Sequence, residues 1–197
     1  MGSDRWNSNL HALESLLDQV PEGAQTGLDV GCGEGESARR LRRRVPSVVG
    51  VDPDGPSIDE ARSQAGDVRY VHGDLLELDL PDGSFDVVTS VAMLHHVGQQ
   101  EGLERLARLV RPGGVVLVVG LARSRSLRDF ARDGVDMVAI RRHSWTKGVW
   151  ETPAPKVWPP PLTYAETRAV SLDALPGAAF ARLPYFRYGL TWTRPTS

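Results

Sequence analysis

The chain has 197 residues, 41% hydrophobic and 24% charged, with 23 Lys+Arg against 25 Asp+Glu and a formal net charge of -2. That size fits one domain that buries a core without staples, and the average composition excludes disordered, collagen-like and coiled-coil classes. The near-neutral charge gives no global pull toward nucleic acid or acidic lipid, and a lone cysteine, Cys32, excludes a disulfide framework or a cysteine-rich zinc site.

In chain order, the polar start Met1-Gly2-Ser3-Asp4-Arg5 has no signal-type apolar region. No apolar run approaches the ~20 residues that span a bilayer, so the expectation is a cytoplasmic protein with no membrane partner. Residues 1–24 read as an N-terminal helical cover, in which Trp6 and His11 are candidates for closing over a ligand. Thr26-Gly27-Leu28-Asp29-Val30 reads as a buried strand entering a glycine turn. Glu36 to Val45 is a helix whose buried stripe is Ala38, Leu41 and Val45, with Arg39, Arg40, Arg42, Arg43 and Arg44 on a solvated face. Val48-Val49-Gly50-Val51 is the second strand. A helix follows from Pro56, capped by Asp54. Val68–His72 and Phe85–Ser90 are the third and fourth strands. Leu103, Leu106, Leu109 and Val110 mark a helix ended by Arg111-Pro112-Gly113-Gly114, and Val115–Val119 is the fifth strand.

Continuous apolar strands separated by helices indicate a parallel sheet covered on both faces. The expected ligand crevice lies at the carboxyl ends of the strands. Residues 25–120 form this core. Residues 121–178 hold Trp145, Trp150 and Trp158 and a run of prolines, and read as an ordered cap rather than a regular α/β unit. Within them Thr163–Leu175 reads as a short helix. Residues 179–197 read as a hairpin, Ala179–Leu183 and Arg187–Thr193, around Pro184-Tyr185. The whole of 1–197 reads as one domain.

Leu28-Asp29-Val30-Gly31-Cys32-Gly33-Glu34-Gly35 carries the most chemistry. Glycines at 31, 33 and 35 permit a sharp turn and a close ligand approach. Asp52 ends the next strand about 20 residues on, where an acid meets ribose hydroxyls in nucleoside sites. Glu36 stands where a dinucleotide fingerprint needs a third small residue, and Glu34 and Glu36 at a helix N-terminus repel a pyrophosphate. A phosphate-free ligand carrying a sulfonium or ammonium suits these acids better. Asp29 in an apolar strand needs a partner, from turn amides or a ligand amine.

These residues resemble motif I of class I S-adenosylmethionine-dependent methyltransferases. Asp52 and Pro53 match the position of the family's ribose-binding acid, and Gly73-Asp74-Leu75 resembles its adenine-binding motif. Phe85-Asp86-Val87-Val88 and Arg111-Pro112-Gly113-Gly114-Val115 match the fourth-strand and pre-fifth-strand signatures, with Asp86 expected to order backbone. Ser90-Val91-Ala92-Met93-Leu94-His95-His96 is most similar to the small-molecule branch (methyltransferase type 11) that includes quinone-biosynthesis enzymes. The resemblance implies a Rossmann-like, doubly wound α/β sheet of seven strands, order 3-2-1-4-5-7-6, with the last strand antiparallel. It also implies S-adenosyl-L-methionine as cofactor, bound by Asp29, Gly31, Cys32 (through its backbone), Gly33, Gly35, Asp52, Pro53, Gly73, Asp74, Leu75, Ser90 and Val91.

Methyl transfer is an in-line displacement that positioning can largely supply. His95 and His96, just past strand four, are the candidates for a general base and for substrate contact. Trp145, Trp150, Trp158, Tyr164 and Tyr185 are candidate substrate walls. There is no Asn/Asp-Pro-Pro-Tyr/Phe motif for a nucleobase amine, no basic stripe and no acidic cluster for a metal. The expected acceptor is a small organic molecule, with O, N and C all open. Two alternatives stand beside it: a non-catalytic scaffold that keeps the cofactor fold, and a methyltransferase acting on protein or RNA.

Overall fold

A computed structural model describes residues 7–64, 66–147 and 159–196, with the side chains of 139 and 142–147 excepted. Seven strands, β1 (Thr26–Val30), β2 (Ser47–Asp52), β3 (Val68–His72), β4 (Phe85–Val91), β5 (Val110–Leu121), β6 (Ala179–Leu183) and β7 (Arg187–Thr193), form one sheet. Their order is β3-β2-β1-β4-β5-β7-β6. The first five strands are parallel, and β7 runs antiparallel between β5 and β6. Both the order and the reversed strand are those expected from the sequence.

The valine run of β5 shows why the sheet is covered on both sides. Val116 and Val118 pack into one buried cluster, while Val115, Leu117 and Val119 pack into the other. The two-residue period of a strand thus divides one apolar run between two cores. The first cluster takes Leu103, Leu106 and Leu109 from α5 (Gln99–Leu109). The second takes Leu13 and Leu17 of α1 (Ser8–Leu17), Ala38 and Leu41 of α2 (Glu36–Arg42) and Ile58 of α3 (Gly55–Ser63). Burying each of these leucines contributes roughly 1.5–3 kcal/mol.

Asp86, buried at the start of β4, joins three strands. Its Oδ2 accepts from the Gln25 and Thr26 amides and the Thr26 hydroxyl, and its Oδ1 pairs with the Arg111 guanidinium. Burial alone would raise its pKa, but Arg111 and the amides hold it down to about 2. The Arg111–Gly114 stretch expected to end α5 is already part of β5, whose pairing with β4 shifts between Phe85 and Val87.

The segment 121–178, read from sequence as an ordered cap, begins with a 21-residue helix, α6 (Leu127–Lys147), and α7 (Tyr164–Ala174) lies where a short helix was expected. The sequence pattern of α6 is misleading because its carboxylates face the domain. Asp129 and Asp133 pair with Arg182 on β6, and Asp136 accepts from the Phe186 amide, while Leu127, Val135 and Val138 are exposed. The start of α7 carries the capping box legible in Thr163 and Glu166. Trp6, Trp150 and Trp158 lie outside the described residues, and of Trp145 only its place on α6 is described. Among the described residues no helix is long and apolar enough to cross a membrane.

Candidate functional site

A cavity of about 340 Å³ opens where β1, β2 and β4 end. The glycine turn supplies one wall. Gly31 and Cys32 both donate their amides to the Val51 carbonyl, which ties the turn to β2. Gly31 has φ +72°, and a Cβ there would come within 2.5 Å of the Met93 side chain. Gly33 has φ +51°, and the space a Cβ would occupy is open. A ligand can therefore lie directly on the Gly33 backbone. Gly35 also turns left-handed but does not line the cavity; Tyr70 packs against it.

Two carboxylates border the cavity. Asp52 Oδ2 accepts from the Gly33 amide at 2.8 Å and Oδ1 from the Asp54 amide at 2.9 Å. Each oxygen keeps a second lone pair, enough for a pair of ribose hydroxyls. Asp74 Oδ1 accepts from the Leu76 amide at 2.8 Å, an Asx turn. Its Oδ2 has no partner among the described residues and can accept from an exocyclic amine. Pro53, Gly73, Leu75 and Val91 complete the predicted lining.

Other predicted residues stand behind the wall. Asp29 is fully buried and outside the lining, so neither turn amides nor a ligand amine meets it. Its partners are the Ser37 hydroxyl at 2.5 Å and the Thr89 hydroxyl at 2.6 Å, and burial raises its pKa to about 6. Ser90 is likewise buried and outside the lining, and its hydroxyl has no partner among the described residues. Cys32 lines the cavity, but burial and the nearby Asp29 and Asp52 charges push its thiol well up, so no thiolate is available. Glu34 and Glu36 do border the cavity, although Glu36 is already paired with Arg39 and Arg40.

The two histidines divide. Both lie on α4 (Leu94–Val97), after Ala92 turns the chain at φ +54°, with ring centroids 4.1 Å apart. His96 is exposed at the cavity wall, and His95 lies outside the lining. Burial, with the neighbouring His96 and Arg187, lowers the His95 pKa to about 4. His95 is thus neutral at physiological pH and a weak base. Tyr185 is buried at the hairpin tip, outside the cavity, with its ring edge-on to His11 at 5.5 Å. Tyr164 is buried beneath the Arg182 guanidinium, also outside the cavity. From the N-terminal cover it is Asn7, Asn9 and Leu10 that reach the cavity rather than His11. The helix-start signal at Asn7, which caps α1, was present in the sequence.

Residues 28–118 match the family model described as "Methyltransferase domain". An uncharacterised methyltransferase of Mycobacterium tuberculosis is 42% identical over 96% of this chain and 98% of its own length. A demethylmenaquinone methyltransferase of Thermus thermophilus is 33% identical over 60% of this chain and 55% of its own. Among solved structures, an S-adenosylmethionine-dependent methyltransferase of Aquifex aeolicus superposes with a TM-score of 0.63 at 17% identity, covering 94% of this chain and 93% of that one.

Proposed function

The chain belongs to the methyltransferase family, with the fold of its S-adenosylmethionine-dependent class I, and from that premise we propose that it binds S-adenosylmethionine and methylates a small organic acceptor. The observation that carries the reading is one cavity bounded together by the open Gly33 backbone, Asp52 and Asp74. An adenosine placed there meets Asp52 with its ribose hydroxyls and Asp74 with its exocyclic amine. Leu75 and Pro53 offer apolar walls for the base.

When bound, S-adenosylmethionine supplies a methyl carbon on sulfonium sulfur, so that an acceptor–carbon bond forms as the carbon–sulfur bond breaks and its electron pair neutralises the sulfur. The chain's own residues position this event. His96, at the cavity wall beyond Met93, is the side chain placed to contact the acceptor and to take a proton from an oxygen or nitrogen nucleophile. His95 packs beside it as a neutral ring and stiffens its setting.

Two observations favour a small acceptor. Four of the five arginines at 39–44 pair with carboxylates: Arg39 and Arg40 with Glu36, Arg40 also with Glu14, Arg42 with Asp67, and Arg44 with Asp18, which leaves the exposed Arg43. One arginine without an ion pair among the described residues makes a poor face for a nucleic-acid backbone. The Thermus thermophilus relative is named for demethylmenaquinone, an organic quinone rather than a macromolecule. The test is transfer of labelled methyl from S-adenosylmethionine into small-molecule, protein and RNA fractions of an extract. Label confined to small molecules is expected; label in protein or RNA overturns the acceptor class. Near wild-type turnover in a His95→Ala, His96→Ala double variant would remove the histidines from the chemistry.

A further inference from the structure

The helix α6 has its two faces reversed. At about 100° per residue, Asp129, Asp133 and Asp136 share one face, and Leu127, Phe130, Val135, Met137 and Val138 share the other. The acidic face is the one turned to the domain. Asp129 and Asp133 pair with Arg182, and Asp136 is buried and accepts from the Phe186 amide. The apolar face is turned out, with Leu127 89% and Val138 70% exposed. Of the six large apolar side chains exposed among the described residues, five are on this helix; the sixth is Leu76. No described residue of α6 belongs to either buried apolar cluster. The helix is thus held to the domain through its carboxylates while its apolar side chains stand in water. Such a concentration marks an interaction surface.

The charge beside the apolar face has one sign. Arg128 and Arg132 lie on the flank next to Val135, and Arg125 precedes the helix. All three are exposed, and none has an ion pair among the described residues. All three carboxylates of α6 are those turned inward. Whatever covers this face must therefore supply apolar contact and negative charge together. A second copy brings the same arginines and no outward carboxylate on this helix, so it does not complement them. A partner helix or peptide needs a groove, and no other described helix or strand packs closely along α6 to form one. An anionic lipid surface supplies both parts and accepts a single convex helix, whose apolar side sinks about 5–10 Å into the headgroup boundary.

We propose that the outward face of α6 docks the protein on an anionic lipid surface, with Leu127, Phe130 and Val138 among the acyl chains and Arg128 and Arg132 on the phosphates. The net charge of -2 gives no global pull toward such a surface. The attraction is local to this helix, because acids elsewhere in the chain lie beyond a Debye length of a docked arginine or are screened. The arginine stems can lie along the apolar boundary while their guanidinium groups stay at the phosphates.

The test is co-sedimentation of the full chain with vesicles of phosphatidylcholine alone or mixed with phosphatidylglycerol. Wild type should bind the mixed vesicles about tenfold more tightly or better, and raised salt should weaken it. Two double variants separate the parts of the face: Leu127→Ser with Val138→Ser, and Arg128→Gln with Arg132→Gln. Each should bind mixed vesicles about tenfold more weakly than wild type, with an unchanged circular dichroism spectrum and melting temperature. No binding of wild type to mixed vesicles, equal binding to both vesicle types, or binding that neither double variant weakens overturns the proposal. A wild-type dimer in analytical ultracentrifugation that the serine variant dissolves also overturns it and assigns the face to a second copy. Binding to polyglutamate without binding to mixed vesicles overturns it in favour of an acidic protein partner.

Discussion

Asp29 and Asp52 flank the same glycine turn, yet they meet different chemistry. Asp52 borders the cavity, where the proposed ligand would meet it. Charged hydrogen bonds contribute ~1.5–3 kcal/mol each, so Asp52→Ala should weaken S-adenosylmethionine at least tenfold in a calorimetric titration. Asp29 acts on stability. Its carboxyl holds a proton up to about pH 6 when folded but only to 3.8 in the unfolded chain. The folded state therefore binds more protons between those values, and this contribution to stability falls as pH rises through 6, by at most about 3 kcal/mol. Asp29→Asn lacks that term, so urea titrations should show it gaining on wild type from pH 4 to 7; parallel curves would contradict the burial argument. His95 has the opposite sign. Its folded pKa near 4 lies below the ordinary 6.5, so its contribution is lost as pH falls from 6.5 toward 4. A His95→Asn variant should accordingly lose less stability than wild type over that acid range.

At the level of elements, side-chain clamps hold pieces together where backbone pairing stops. Asp86 ties the entry of β1 to β4 and β5. Asp86→Ala leaves two amides and a guanidinium without their acceptor, a loss of about 2–4 kcal/mol measurable by denaturant melts. Arg182 does the same for α6, bridging Asp129 and Asp133 while stacking on Tyr164 at 4.2 Å. In Arg182→Met, hydrogen exchange should accelerate along Leu127–Arg141 with the β1–β5 strands unchanged; equal exchange would show that α6 is held by something else. These clamps also mark where the sequence could be read. The valine strands and the Thr163 capping box announce themselves through local period and spacing. The α6 helix does not, because its inward face is acidic and its distant partners, Arg182 and the Phe186 amide, lie far away in sequence. The hairpin tip was legible as a turn, but not its left-handed Tyr185 and Phe186, at φ +65° and +60°, which Asp136 steadies from α6.

Across the whole molecule, the cavity half was legible because its lining comes from short loops at strand ends, each with its own local signature. Gly31, Gly33, Asp52, Asp74 and Leu75 all border one cavity. Asp29, Gly35 and Ser90 carry the same signature but support the wall from behind. Motif position alone does not distinguish a residue that faces a ligand from one that packs beneath it. The rest of the lining was far less legible: Asn9 and Leu10 come from α1 and His96 and Val97 from α4, with no shared local signature. The near-neutral net charge of -2 leaves no global basic surface. The most direct measurement is a calorimetric titration of the full chain with S-adenosylmethionine, on wild type and Asp52→Ala. Saturable one-to-one binding, weakened at least tenfold by the substitution, is the expected result. No heat at millimolar ligand, or an affinity unchanged by Asp52→Ala, would contradict the assignment of the cavity.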